Sequence, residues 1–280
     1  MAGRRHRRMG GAFVAAGLVG CVCLGTGGCS GSPRAAADDA RAGDPVEVLH
    51  RAADRLAEAG SSQARTSMEM ATGGTRVTIR GEGVYDYRRQ LGRLRVLLPH
   101  GPAGTGPQRP ITELLAPGAL FMKNRGAGVP ADKWVRVDTA TLSDGNLVTG
   151  GATDPFTAAE VLRGTRRAAY VGDTEFAGTQ VRHYRGTADL VLAARSATAA
   201  NRQALAAAAK GFATAVVPFD VYLDDVGRIR KVRHRFSFVN GRQKAPVAVA
   251  STTLLFDFGA PVRVRLPKAE DIYAGRIAEE

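Results

Sequence analysis

Hydrophobic residues keep a helical spacing in three stretches of the chain. In the first stretch they recur on one helix face, at Val46, Leu49, Ala53 and Leu56. Asp44 before Pro45 is a helix-start signal and Gly60 is a stop, which predicts a helix over 45–59. A second Asp-Pro pair predicts a helix over 155–163, and an alanine-rich run predicts one over 198–210.

Between these helices, apolar and polar residues alternate, as is typical of strands that bury one face. The alternation predicts strands over 65–70, 76–87, 93–98, 111–115, 120–123, 134–138, 167–176, 179–187, 217–223, 228–240 and 247–258. Turn signals separate them, and Asn240-Gly241 is a strong hairpin signal. The pattern therefore predicts an α+β fold, in which a large, mostly antiparallel sheet carries a few helices on one face.

The first 29 residues are typical of an export signal rather than of a fold element. A cluster of four arginines precedes an apolar run over 9–24, and Thr26-Gly27-Gly28 then precedes Cys29. This layout resembles the signal of bacterial lipoproteins, in which the cysteine is acylated and becomes the mature N-terminus. We therefore predict a signal peptide over 1–28 and acylation of Cys29.

Two alternatives stay open for this segment. Leu18-Val19-Gly20 before Cys21 fits the usual lipoprotein box better, but cleavage there would leave Cys23 and Cys29 as free thiols outside the cell. The other alternative is an uncleaved transmembrane anchor. The apolar run has about 16 residues, whereas a span needs about 20.

The rest of the chain divides into a tether and one domain. Residues 29–43 are small and polar without a period, which predicts a flexible tether. We expect a single domain over 44–275. It contains no cysteine, so a hydrophobic core without disulfides must stabilise it.

The net charge of +13 is strongly positive, and it falls to +9 once the four arginines of the signal are removed. In an exported protein without a run of arginines interleaved with aromatic residues, we expect no nucleic acid partner. Anionic lipid headgroups or cell-wall polymers are the expected partners. The alternative is a basic surface that is merely solvated.

The motifs that carry known chemistry are missing from the sequence. It has no GxSxG elbow, HExxH or P-loop, and its histidines lack metal-ligand spacing. We therefore expect neither an enzyme, nor a cofactor, nor a metal site. In 228–235, three cations share one strand face, at Lys231, Arg233 and Arg235. A polar outer sheet face is the expected role, with an anion site as the alternative.

Several segments resemble a known family in their order along the chain. They are GEGVYDY at 81–87, GALF at 118–121, KWVRVD at 133–138 and FDVYLDDVGRIRKV at 219–232. Together with the acylated cysteine and the tether, they look like the actinobacterial LppX/LprAFG-type lipoproteins, which are similar to the LolA/LolB-like carriers. The resemblance implies a half-barrel sheet with helices over its concave face, an apolar cavity, and an acylated lipid or glycolipid ligand.

We therefore expect a monomeric lipoprotein that is anchored on the extracytoplasmic face of the bacterial cell membrane and binds and carries or presents such a lipid. A protein-interaction or sensor module of the same fold, without a lipid, is the alternative. The expected cavity lining is Leu49, Leu56, Val77, Ile79, Leu94, Val96, Leu205, Phe236, Phe238 and Leu254. These residues could instead close an ordinary core.

Overall fold

The computed structural model describes residues 43–72, 75–99, 109–239 and 246–275 of the 280-residue chain. The predicted signal peptide, the two candidate acylation sites Cys29 and Cys21, and the predicted tether up to residue 42 lie outside the described residues. Residues 42–280 form one compact unit.

Eleven strands within the described ranges form one antiparallel sheet. They are β1 (Ser61–Thr72), β2 (Thr75–Asp86), β3 (Leu91–Leu97), β4 (Ile111–Ala116), β5 (Ala119–Lys123), β6 (Trp134–Asp138), β7 (Thr165–Phe176), β8 (Thr179–Asp189), β9 (Val216–Leu223), β10 (Ile229–Val239) and β11 (Pro246–Phe256). Their spatial order is β6-β5-β4-β3-β2-β1-β11-β10-β9-β8-β7. The sheet is curved and not closed, which confirms the expected half-barrel.

Two meanders share the sheet and meet at its centre. Strands β1 to β6 follow one another outward on one side, and β7 to β11 follow one another inward on the other. The pairing of β1 with β11 joins them, in a register that runs from Gln63 opposite Phe256 to Ala71 opposite Ala248. The two ends of the domain sequence are thereby brought to the middle of one sheet.

Five α-helices occur among the residues that the structure describes: α1 (Pro45–His50), α2 (Ala52–Ala59), α3 (Pro155–Val161), α4 (Leu190–Ser196) and α5 (Ala199–Gly211). Helices begin at both predicted Asp-Pro pairs. The Asp44 side chain accepts from the Val46 N–H, and the Asp154 side chain accepts from the N–H groups of Phe156 and Thr157. The helix predicted over 45–59 is interrupted at Arg51, so it forms the two helices α1 and α2.

Helix α4 is an element that the pattern of the sequence did not predict. Strand β8 passes into it at Asp189, whose carboxylate accepts from the N–H groups of Val191 and Leu192 at 2.8 and 3.3 Å. No glycine or proline marks the change. The side-chain cap of an aspartate at the end of a strand is therefore what starts this helix.

The helices lie on the concave face of the sheet. Alternate residues of each strand point toward them, and on β1 these are Ser62, Ala64, Thr66 and Met68, all buried. The opposite positions of the same strand are partly or fully exposed, as Arg65 is. The hydrophobic core lies between the concave face and the helices.

Candidate functional site

Helices fill the part of the concave face next to the centre of the sheet. Helix α2 contacts β1 and β10, and α3 contacts β10. The ring of Phe156 lies 6.0 Å from that of Tyr87, which lies 5.2 Å from that of Tyr85. Tilted aromatic pairs at these distances pack tightly. This region is closed core.

A short segment, Gly150–Thr153, crosses the concave face beside that core. A methyl group on its second glycine would lie 3.4 Å from the side chains of both Ile79 and Val96. At its end, the threonine hydroxyl lies 2.5 Å from the hydroxyl of Ser251 on β11. The segment therefore passes over β3 and β2 toward β11, and its small residues allow this close approach to the sheet.

The chain leading into this segment is held mainly by its own polar groups. The carboxylate of Asp144 accepts from the N–H groups of Asn146, Val148 and Thr149. The side-chain carbonyl of Asn146 accepts from the N–H of Gly150 at 3.1 Å. Two of these bonds satisfy the buried backbone N–H groups of Asn146 and Gly150, which would otherwise lack partners.

A groove of about 480 Å³ lies on the concave face toward the β6 edge of the sheet. Inner-face side chains of β2, β4, β5 and β6 line it: Ile79, Ile111, Met122, Val135 and Val137. All five are apolar. Its volume is in the range of ordinary small-molecule sites, which are mostly apolar with a few placed polar groups.

The polar groups of the groove come from the loop between β5 and β6. Asn124 and Gly126 both have positive φ, 64° and 104°, so the chain turns sharply around Arg125. The Asn124 amide donates to the carbonyl of Pro110 at 3.1 Å, which ties the loop to the start of β4. The Arg125 guanidinium donates to the carbonyl of Thr149 at 3.4 Å. This geometry holds a half-buried cation at the groove.

Glu113 is a buried carboxyl close to the same groove. On the inner face it lies between Leu94 and the groove residue Met122 in the strand register. Neither of its oxygens has a hydrogen-bond partner among the described residues. Burial raises its pKa to about 8, although the charge of Arg125 acts in the opposite direction. The carboxyl is therefore mostly protonated at pH 7.

His234 is a second titratable group on the inner face. It is fully buried opposite Ser251, and its ring lies 5.7 Å from that of Phe236. Burial lowers its pKa to about 3, so the imidazole is neutral at physiological pH. It lies outside the groove, in the packed core.

The outer face carries an ionic cluster around Asp220. Its carboxylate accepts from Arg185 at 2.8 Å and from Arg235 at 2.7 Å, and His183 Nε2 lies 2.9 Å away. The imidazole stacks on the ring of Tyr222 at 4.3 Å. Burial would raise the pKa of Asp220, but the three hydrogen bonds outweigh it and lower the pKa to about 2. The carboxylate of Asp220 is therefore fully engaged by side chains of the protein itself.

The expected lining residues are distributed over the inner face as a whole. Five of them have no exposed surface and lie within the closed core: Leu49, Leu56, Leu94, Val96 and Leu205. Phe236 is also buried, and Val77 and Phe238 are partly buried against the same core. Of the expected set, only Ile79 lines the groove. The ligand-lining role of these residues stays a prediction.

Leu254 requires a correction. It pairs with Arg65 of β1 and with Lys231 of β10, both outer-face positions, so it lies on the outer face. The inner position is taken by its neighbour Leu255, which is buried. Since both residues are leucine, alternation could not tell the two faces apart at this end of β11.

Sequence reasoning did not find Arg125, Glu113 or the crossing segment. Arg125 stands in a short loop with no basic neighbours beyond Lys123, and Glu113 looks like an outward residue of a short strand. The one signal that was present is the pair of glycines at 150 and 151, which indicates a close backbone approach.

Comparison with solved structures finds several proteins with partial similarity to this chain. The chain is similar to the lipoprotein LppX of Mycobacterium tuberculosis, at 9% identity and a TM-score of 0.46 over 79% of this chain and 100% of that one. LprF from Mycobacterium bovis matches at 14% identity and a TM-score of 0.40, over 79% and 96%. MucB of Pseudomonas aeruginosa, solved in complex with MucA, matches at 16% identity and a TM-score of 0.31, over 82% and 63%.

No family model and no curated protein matches the chain. Within the described ranges, no helix combines the length and apolar character needed to cross a membrane. The same residues contain no group of three or more His, Cys, Asp or Glu side chains placed to hold a metal ion.

Proposed function

We propose that this protein is a lipoprotein, anchored on the extracytoplasmic side of the cell membrane, that binds an acylated lipid in the concave groove and carries or presents it in the cell envelope. The groove at the β6 edge is the observation that supports this proposal. It offers about 480 Å³ with an apolar wall, and Arg125 is the one cation among its described lining residues.

The chemistry of the wall suits an acyl chain. Ile111 and Met122 are almost completely buried and form its base, whereas Val137 is partly exposed. Each methylene that leaves water for such a wall contributes about 0.8 kcal/mol. A chain of several methylenes would therefore bind without any directional contact.

The test measures the lipid that co-purifies with residues 42–280, the compact unit without the expected anchor. The purified protein is extracted with organic solvent, and the extracted lipids are identified and quantified by mass spectrometry. Val137→Trp should reduce the bound lipid strongly, because the indole would fill the groove while part of it stays in solvent. Leu254→Trp, a partly buried position of the outer face, is the matched control and should leave the bound lipid unchanged.

The alternative function, a protein-interaction module, makes the opposite prediction. No lipid would be extracted from the wild-type unit, and Val137→Trp and Leu254→Trp would both leave the extract unchanged. That result would contradict lipid binding in the groove.

A further inference from the structure

Among the described residues, Arg125 has no counter-ion for its charge. Among the residues that the structure describes, its guanidinium makes one hydrogen bond, a long one of 3.4 Å to the neutral carbonyl of Thr149. No carboxylate lies within ion-pair distance of it in that part of the chain. A half-buried guanidinium beside an apolar wall is costly to desolvate unless an anion pairs with it.

The nearby acid does not provide that anion. Glu113 interacts electrostatically with Arg125, but burial keeps its carboxyl mostly protonated near neutral pH, as its pKa of about 8 indicates. The side chain is fully buried and makes no hydrogen bond to the guanidinium. Within the part of the chain that the structure describes, no anion therefore compensates the charge of the cation in the groove.

We infer that the groove takes an acyl lipid with an anionic headgroup, and that Arg125 binds the phosphate or carboxylate of that headgroup. The guanidinium presents several N–H donors in a planar fork that matches both groups. The acyl chain then lies along the apolar wall from Met122 to Val137. This inference rests on the proposed lipid-binding function and specifies its ligand class.

Arg125 lies at the groove, whereas the nearby cation Arg136 does not. Arg136 lies on the adjacent strand β6, but it pairs with Phe121 on the outer face and is exposed. The two arginines are thus close in sequence and lie on opposite sides of the sheet. Arg136 serves as a matched control, because its removal lowers the net charge by the same amount without touching the groove.

The experiment measures lipid selectivity in residues 42–280. The protein is incubated with mixed vesicles of phosphatidylglycerol and phosphatidylcholine with the same acyl chains, reisolated, and its bound lipid is quantified. We expect the wild type to prefer phosphatidylglycerol about tenfold, a ratio that a single charged hydrogen-bonded pair can supply. Arg125→Gln should bind both lipids about equally, and Arg136→Gln should keep the preference.

Two further measurements test whether a lost preference reflects misfolding and whether the site binds free anions instead of lipid. Arg125→Lys keeps the charge and should retain part of the preference, so a loss seen only in Arg125→Gln is not a folding defect. Inorganic phosphate at millimolar concentration should not displace the lipid. If it raises the thermal midpoint of the wild type but not of Arg125→Gln while no lipid binds, the site takes free anions and the inference is wrong.

The experiments distinguish a wrong headgroup assignment from an absence of lipid binding. If Arg125→Gln keeps the wild-type preference while Val137→Trp abolishes uptake, the headgroup assignment is overturned and the groove remains a lipid site. If the wild type takes up neither lipid, the proposed function fails together with the inference.

Discussion

Glu113 lies directly against Gly150: a methyl group on this glycine would lie 3.2 Å from Oε1 of the carboxyl. The same methyl group would lie 2.9 Å from Oδ1 of Asn146. The contact joins strand β4 to the segment that crosses the concave face. Because the contact is close, substitutions at Glu113 and Gly150 test how the crossing segment packs on the concave face.

Gly150→Ala should destabilise the protein, because the new methyl group meets two polar atoms in a tightly packed region. Overpacking of this kind costs about 1–3 kcal/mol. The measurement is the urea midpoint of residues 42–280. In the background Asn146→Ala, which removes the closer oxygen, the same substitution should cost less. Equal costs in both backgrounds would contradict the contact.

Glu113→Gln should make the protein more stable at pH 8 and leave it little changed near pH 4. The pKa of Glu113 is raised from 4.5 to about 8, so the folded state binds the proton more tightly than the unfolded state does. Its contribution to stability is fully present below pH 4.5 and is lost as the pH rises through 8.

Each unit of that pKa shift corresponds to about 1.4 kcal/mol, so the loss in the wild type amounts to a few kcal/mol. Thermal midpoints of the wild type and Glu113→Gln between pH 4 and 9 measure the difference. Asp154, whose pKa burial raises to about 6, acts in the same direction but is common to both proteins. Parallel curves for the two proteins would refute the assignment.

Asp220→Asn should destabilise the outer face at neutral pH. The amide of the new asparagine cannot accept hydrogen bonds from Arg185, Arg235 and His183 together. The substitution also removes the negative charge that pairs with the two arginines. Since the two arginines are about half exposed, solvent screening limits the expected cost to about 1 kcal/mol. The urea midpoint at pH 7 measures it.

The pH dependence of this effect has the opposite sign to that of Glu113. The pKa of Asp220 is lowered from 3.8 to about 2, so its contribution is present above pH 4 and is lost as the pH falls toward 2. The difference between wild type and Asp220→Asn should therefore shrink at pH 3. Glu69→Gln, which removes an exposed and longer pair with Arg233, is the control and should cost less at every pH.

Cys29→Ser in the full chain should prevent stable attachment to the membrane. Two acyl chains give durable binding, whereas a single one is marginal. Fractionation of cells into membrane and medium, with the N-terminus determined by mass spectrometry, measures the effect. Cys21→Ser is the matched variant and should leave attachment and processing unchanged. The reverse pattern would assign the anchor to Cys21.

Local signals in the sequence were sufficient for most elements. Asp44-Pro45 and Asp154-Pro155 start helices because a side-chain cap and a fixed φ act within a few residues. Strand alternation depends only on whether one face of the sheet is buried. The predicted antiparallel sheet with a few helices on one face follows from these local rules, and the structure confirms it.

The interruption at Arg51 and helix α4 show where local signals end. Arg51 has no proline or glycine to announce a break, and the chain around 190–196 contains no stop signal after β8. Helix α4 begins at the side-chain cap of Asp189, but no proline follows this aspartate to mark the start, as one does after Asp44 and Asp154. A helix of seven residues or fewer is too short for the helical period to show in the sequence.

The candidate site depends on contacts between residues that are distant in sequence. The absence of a disulfide in the domain follows from the amino-acid sequence alone, because it depends on residue types. Export and the anchor at Cys29 are predictions that also depend only on residue types and their order. That Leu255 rather than Leu254 faces the core is decided by the pairing of β11 with β1. That Arg125 lies beside an apolar groove is decided by the packing of β2, β4, β5 and β6, since the surroundings of a side chain are a property of the assembled fold.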